Sequence, residues 1–305
     1  MDKAYIETVR LLLAVAPEVF RGSVFAMKGG TALNLFAHDM PRMSVDIDLA
    51  YASWSTPREE ALRSIASELG AIQQRLNSQG LTVHTVAAAG LGESKLLVER
   101  QGVQVKIEAN LVFRGTVRPV ENRALAPSAA EAFSAELAVP LLALDELYGS
   151  KLVAALDRQH PRDLFDVSLM YSTHGLTSAT IECFVLYLAG HNRPMHEVLL
   201  PHRKDITQEF NASFAGMTRD PIDLTVLEEA RKRLLADLPQ RLTAQQRAFL
   251  IGLALAEPDW SLVACPHASQ LPAIRWRLQN LELFRAKRPK DFAQQATALE
   301  RALAE

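Results

Sequence analysis

The chain has 305 residues, 49% of them apolar and 22% charged, which suits a soluble globular protein of one large domain or two ordinary ones. Its formal net charge of −2 announces no polyanion partner globally. No apolar run approaches the roughly 20 residues of a membrane span, and Met1-Asp2-Lys3 opens nothing like a secretory leader, so the cytoplasm is the expected compartment. Cys183 and Cys265 lie far apart and outside any metal-ligand spacing, which argues against a disulfide framework or a zinc site.

Residues 3–16 read as a helix, with apolar positions at Tyr5, Ile6, Val9, Leu12 and Leu13. A turn at Arg21-Gly22-Ser23 leads into the apolar run Val24–Met27, which closes on Gly29-Gly30, and Thr31 to Ala37 is again helical in composition. Val45 to Tyr51 alternates as a half-buried strand does. Pro57 opens a long helix to about Gln79, with Glu59 and Glu60 in its first turn and Gly80 at its end. Strand-like runs follow at 81–86, 94–100 and 103–113, the last two joined by the hairpin-like Gln101-Gly102. Beyond about residue 125 helical periodicity takes over. The fold expected is therefore α+β: an α/β domain over 1–125 with a small, largely antiparallel sheet, then a helical domain over 126–305. Strands bunched in one region do not suit alternating βαβ units.

Ser44-Val45-Asp46-Ile47-Asp48-Leu49 is the most informative stretch. Side chains two apart on a strand share a face, so Asp46 and Asp48 point together while Val45, Ile47 and Leu49 turn to the core. Paired carboxylates repel unless a cation sits between them, and oxygen ligands of this kind suit Mg2+ or Mn2+, shared with substrate phosphates. The run from Val103 to Asn110 alternates in the same way and offers Glu108 as a third carboxylate. Three such groups on one face can hold two metal ions about 4 Å apart, the arrangement of phosphoryl displacement. Upstream, Gly29-Gly30-Thr31 at a helix start allows a phosphate to approach the backbone. Arg42, between the two motifs, either contacts a phosphate or pairs with Asp39. Each piece also has a plainer reading: a solvent-facing strand, an exposed edge, or a steric Gly-Gly turn.

In the helical half, Lys151, Ala155 and Arg158 follow helical spacing, and His160-Pro161 breaks the helix before Arg162, Asp163 and Asp166. The plain reading is a capped helix with structural ion pairs. The functional one is a cationic set that neutralises a triphosphate. The densest basic stretch, Arg275, Arg277, Arg285, Lys287, Arg288 and Lys290, is the one local candidate for a nucleic-acid surface. The eight histidines show no metal-ligand spacing.

Taken together, Lys28-Gly29-Gly30-Thr31-Ala32-Leu33, Arg42-x-Ser44-x-Asp46-x-Asp48 and Lys151-Leu152-x-Ala154-x-x-x-Arg158-x-x-x-Arg162-Asp163-x-x-Asp166 resemble the AbiEii-type nucleotidyltransferase toxins of toxin–antitoxin and phage-defence systems. These are related to the MenT toxins and to the DNA polymerase β-like superfamily. The resemblance implies a two-lobed fold whose helical domain completes the active-site cleft, an NTP donor, a divalent metal and a cognate antitoxin. It implies that Lys28, Gly29, Gly30, Thr31, Arg42 and Ser44 bind phosphate, with Arg158 and Arg162 beside them. Asp46 and Asp48 would ligate the metal, Lys151 would hold the triphosphate, and Asp163 or Asp166 would be the acidic residue of the later motif. Glu108 would match the third carboxylate of the wider superfamily. The MenT relatives point to the 3′ end of tRNA as acceptor, with a protein or small-molecule acceptor, or a non-catalytic nucleotide sensor, as alternatives.

Overall fold

The computed structural model describes residues 3–22, 24–86 and 93–304. The chain forms two compact units, Met1–Leu147 with Gly216–Asp220, and Tyr148–Ala215 with Pro221–Glu305. The boundary expected at 125/126 falls inside the first unit, because two short strands beyond residue 120 complete its sheet.

The first unit opens with α1 (Lys3–Val19), which runs past the expected end at residue 16 and through Pro17. Arg21 and Gly22 form the expected turn, while Ser23 lies outside the described residues. Then come β1 (Phe25–Lys28), α2 (Gly29–Thr31) continuing as a π-helical turn over Ala32–Ala37, β2 (Ile47–Tyr51) and α3 (Arg58–Ser78). β3 (Thr82–Val86), β4 (Glu93–Arg100) and β5 (Val103–Asn110) follow, and β6 (Glu121–Ala124), α4 (Pro127–Phe133) and β7 (Ala138–Leu141) complete the unit. The described strands form one mixed sheet in the order β3-β4-β5-β2-β1-β7-β6. β1 runs parallel to β7 and β2 parallel to β5, and the remaining neighbours are antiparallel. β5 stops at Asn110 rather than 113, since Asn110 Oδ1 accepts from the amides of Val112 and Phe113 at 2.9 Å and turns the chain.

Ile47, Leu49, Leu96, Val98, Val105 and Ile107 are all buried. Burial of each such side chain contributes about 1.5–3 kcal/mol. α1 packs on β5 and α3 on β3, and the two helices touch each other. The opposite face carries polar side chains on β2 and β5, Asp48, Lys106, Glu108 and Asn110.

The second unit is helical: α5 (Leu144–Asp157), whose first residues belong to the first unit, then α6 (Pro161–Thr173), α7 (Ser178–Ala189), α8 (Met195–Leu199), α9 (Thr207–Ser213), α10 (Leu224–Arg241), α11 (Ala244–Ala254), α12 (Pro272–Lys287) and α13 (Pro289–Ala304). The break at His160-Pro161 falls where the sequence predicts it, with Pro161 in the first turn and His160 Nδ1 accepting from the Arg162 amide at 3.1 Å. A Cβ on Gly149 would stand 2.6 Å from Cys183 Cβ and 2.7 Å from the Phe184 amide nitrogen, so glycine is what lets α5 approach α7.

Candidate active site

β2 fixes the direction of the two aspartates. Ile47 and Leu49 are fully buried, so the pleat turns Asp48 to the opposite face, and Asp46 immediately precedes the strand. Val45 is only half-buried, a departure from the core position expected for it. Asp48 stands in register with Glu108 across the parallel β2–β5 pair and with Lys28 across the antiparallel β1–β2 pair. Asp48, Glu108 and Lys28 therefore emerge on one face.

The Gly-Gly turn closes over this face. Gly29 lies at φ 78°, and a Cβ there would run into the Asp48 carboxylate. At Gly30 a Cβ would come within 2.7 Å of both Arg42 Nη2 and Ser44 Oγ. The two glycines thus press backbone against three of the residues singled out in the sequence, Asp48, Arg42 and Ser44. Thr31 Oγ1 and Ser44 Oγ share a 3.1 Å hydrogen bond. Asn34, which sequence reasoning missed, ties the turn to the following loop: its Nδ2 donates to Gly30 O at 2.8 Å, and its Oδ1 accepts from the Arg42 amide at 3.2 Å. The π-helical turn makes this possible by widening the helix so that His38 N reaches Leu33 O at 2.8 Å.

Arg42 is buried, and its Nη1 donates to Met43 O at 2.9 Å. Residues 216–220 return to cover the same loop. The Met43 amide donates to Met217 O at 2.7 Å, the Arg219 amide donates to Pro41 O at 2.9 Å, and Arg42 and Thr218 form an antiparallel bridge. Asp39 is engaged elsewhere: it accepts from the amide of Ser128 at 2.9 Å and from the Ser128 hydroxyl. That hydroxyl, more than the charge of Arg219, holds the Asp39 carboxyl below its usual range. Tyr5 on α1, also missed, is buried beside this loop. Burial pushes its hydroxyl up, against the pull of the Ser44 backbone and the Arg42 charge.

Glu108 has two cationic neighbours. Lys95 Nζ lies 2.6 Å from its Oε1, and Lys106 Nζ lies 3.3 Å from its Oε2 and 3.6 Å from Asp46 Oδ2. Burial alone would raise the Glu108 carboxyl, but the two ammonium groups outweigh it and hold the group ionised below its usual range. Among the described residues, no three His, Cys, Asp or Glu side chains converge closely enough to hold a metal by themselves. Asp46 and Asp48 nevertheless fit a hard divalent cation of the magnesium type, which keeps waters and takes its remaining ligands from substrate phosphate.

In the second unit, Lys151 is buried between two carboxylates, 2.9 Å from Asp163 Oδ1 and 3.0 Å from Asp166 Oδ2. Arg158 Nη2 donates to the same Asp163 Oδ1 at 2.9 Å, and its guanidinium is exposed. Burial opposes ionisation of Asp163, yet Lys151 and Arg158 hold its carboxyl far below the ordinary range. Arg162 Nη2 lies 3.5 Å from Ser213 O. Lys151, Arg158, Asp163 and Asp166 thus form one ion-pair network, in which Arg158 is the exposed cation.

In the basic stretch near the C-terminus, folding buries one residue and pairs two, while Arg275, Lys287 and Lys290 are exposed. Arg277 is buried and donates to Asn192 O at 2.7 Å, Arg285 pairs with Glu257 at 2.9 Å and Arg288 with Asp291 at 2.6 Å. A cavity of about 590 Å³ in the second unit, lined by Gln159, Arg193, His202 and Lys204 among others, contains none of the residues predicted from sequence. No described helix is long and apolar enough to cross a membrane.

Comparison with known proteins bears on this geometry. The family model described as "Nucleotidyl transferase AbiEii toxin, Type IV TA system" matches residues 10–280. No curated protein matches the sequence. Among solved structures, the chain is similar to MenT4, a nucleotidyltransferase toxin from Mycobacterium tuberculosis H37Rv, with a TM-score of 0.61 at 17% identity, covering 91% of this chain and 94% of that one. At that identity the likeness speaks for the fold. The family match spans most of the chain and includes every residue of the three motifs, and the chain belongs to the AbiEii nucleotidyl transferase toxin family of type IV toxin–antitoxin systems.

Proposed function

We propose that this toxin transfers a nucleoside monophosphate from an NTP to an acceptor hydroxyl at the 3′ end of tRNA, with a divalent cation on Asp46 and Asp48. Family membership carries an NTP substrate and a cognate antitoxin. The tRNA acceptor rests on the resemblance of the motifs to those of the MenT toxins, as does phage defence, and a cytoplasmic setting fits a toxin–antitoxin family. The observation that carries the reading is the convergence of Asp48, Ser44 and Arg42 on the Gly29-Gly30 backbone.

Each part of that convergence has a task. Gly29 and Gly30 let Asp48, Arg42 and Ser44 lie against the backbone at the turn, and Ser44 and Thr31 supply hydroxyl donors. Asp46 and Asp48 would hold the cation, Mg2+ or Mn2+, which when bound would offset charge on the phosphates. The acceptor oxygen forms a bond to the α-phosphorus as the bond to the β-phosphate oxygen breaks, pyrophosphate leaves, and the hydroxyl proton is released. On the strength of their motif, Lys151, Arg158 and Arg162 are assigned to the triphosphate, with Asp163 and Asp166 setting the position of Lys151.

The test is incubation of purified protein with each α-labelled NTP, Mg2+ and either total tRNA or an RNA-free lysate. Label on tRNA supports the reading. Label only on protein or a small molecule moves the acceptor and keeps the chemistry, and no transfer from any nucleotide contradicts both.

A further inference from the structure

Glu108 stands on the same face as Asp48, yet its carboxylate is already committed. Lys95 projects from β4 at the position registered directly opposite Glu108, and Lys106 lies two residues earlier on β5, on the same face. Each Glu108 oxygen therefore has its own ammonium group, at 2.6 and 3.3 Å, whereas Asp46 shares only the longer 3.6 Å contact to Lys106. A dication placed on Glu108 would sit beside two like charges, which disfavours it. Glu108 is 16% exposed, but both lysine side chains are 34% exposed, so their heads reach solvent while the glutamate anchors them from beneath.

We propose that Glu108 is a positioning residue and not a metal ligand: it holds Lys95 and Lys106 beside Asp46, where their ammonium groups receive phosphate oxygens of the incoming substrate. The inference rests on the reading of Asp46 and Asp48 as metal ligands. Lys106 shares the Asp46 carboxylate with any cation held there, so its ammonium would remain available to a phosphate oxygen. The phosphate belongs either to the NTP or to the backbone of the acceptor, and both present the same oxygens to a lysine pair.

Wild-type crystals soaked with Mn2+ and a non-hydrolysable NTP analogue, read by anomalous scattering, test the glutamate directly, and no variant has to fold. Manganese on Asp46 and Asp48 with Glu108 still against Lys95 and Lys106 is expected. Manganese coordinated by Glu108 overturns the inference and leaves the function standing, whereas no manganese on either aspartate contradicts the functional reading and the inference with it. In solution, Glu108→Gln should leave Mn2+ affinity unchanged by electron paramagnetic resonance, and a tenfold weakening would overturn its assignment. Lys95→Met and Lys106→Met should each cost roughly tenfold in substrate binding, the size of one lost charge-assisted contact. The loss appears as weaker NTP binding without acceptor if the phosphate is the nucleotide's, or as a raised acceptor KM at saturating NTP if it is the acceptor's. Neither quantity moving would overturn the role of the lysines.

Discussion

The Asp48 carboxylate occupies the space that a side chain at residue 29 would need. Gly29 also sits at φ 78°, where a Cβ is strained regardless of space. Gly29→Ala is therefore expected to destabilise the fold by about 1–3 kcal/mol and to displace Asp48, with a loss of transfer larger than the stability change explains. Urea denaturation and the transfer assay on the same preparation separate the two. A variant as stable and active as wild type would show that the close approach has no role.

Gly30→Ala is the milder change. Its Cβ would meet the ends of two flexible side chains, Arg42 Nη2 and Ser44 Oγ at 2.7 Å, which can move aside. Its stability should fall by about 1 kcal/mol or less, since the displaced groups are side-chain ends. Its NTP affinity should fall clearly, because the groups that move are the assigned phosphate contacts. Calorimetric titration with an NTP analogue reads this.

Asn34 is a structural key to the site without facing the substrate. Its two hydrogen bonds, to Gly30 O and from the Arg42 amide, are made by a fully buried side chain. Asn34→Leu leaves both backbone groups without their partner and should cost about 1–3 kcal/mol. The thermal midpoint should drop, and hydrogen exchange should rise across residues 38–44.

The Lys151 network sets an acid limit on stability. Asp163 has a carboxyl held below its usual value, so the unfolded chain takes up this proton first as pH falls. Its contribution is complete above the unfolded value near about 4 and is lost progressively below it. Lys151→Met removes the cation shared by two buried carboxylates and should destabilise the protein by about 3–5 kcal/mol at neutral pH. With the Asp163 shift reduced, the variant should lose less stability than wild type between about pH 5 and pH 3. Equal acid slopes in the two proteins would contradict this account of the network.

A strand's period of two makes legible that Asp48 turns away from Ile47 and Leu49 and that Lys106 shares a face with Glu108, whereas Asp46 lies just outside the strand. The register that sets Asp48 beside Glu108 and Lys28 was not legible, since it depends on pairing between strands far apart in the chain. β6 and β7 escaped notice because four residues each, one run polar and the other containing Pro140, carry no alternation. Asn34 gave no signal either: a lone asparagine in a helical stretch says nothing of the backbone groups it will meet. The return of residues 216–220 onto the Arg42 loop is a long-range contact that no local pattern encodes.

Pyrophosphate release by matched wild-type and Asp48→Asn proteins asks whether the chemistry runs through the aspartates on the sheet face. With NTP, Mg2+ and a total cellular extract as acceptor source, the wild type should release pyrophosphate as α-label enters the acceptor. Asp48→Asn, folded by circular dichroism, should show a rate lower by about a hundredfold or more, as expected for loss of a group that stabilises the transferring phosphate. Release at the wild-type rate from the folded variant would contradict the account.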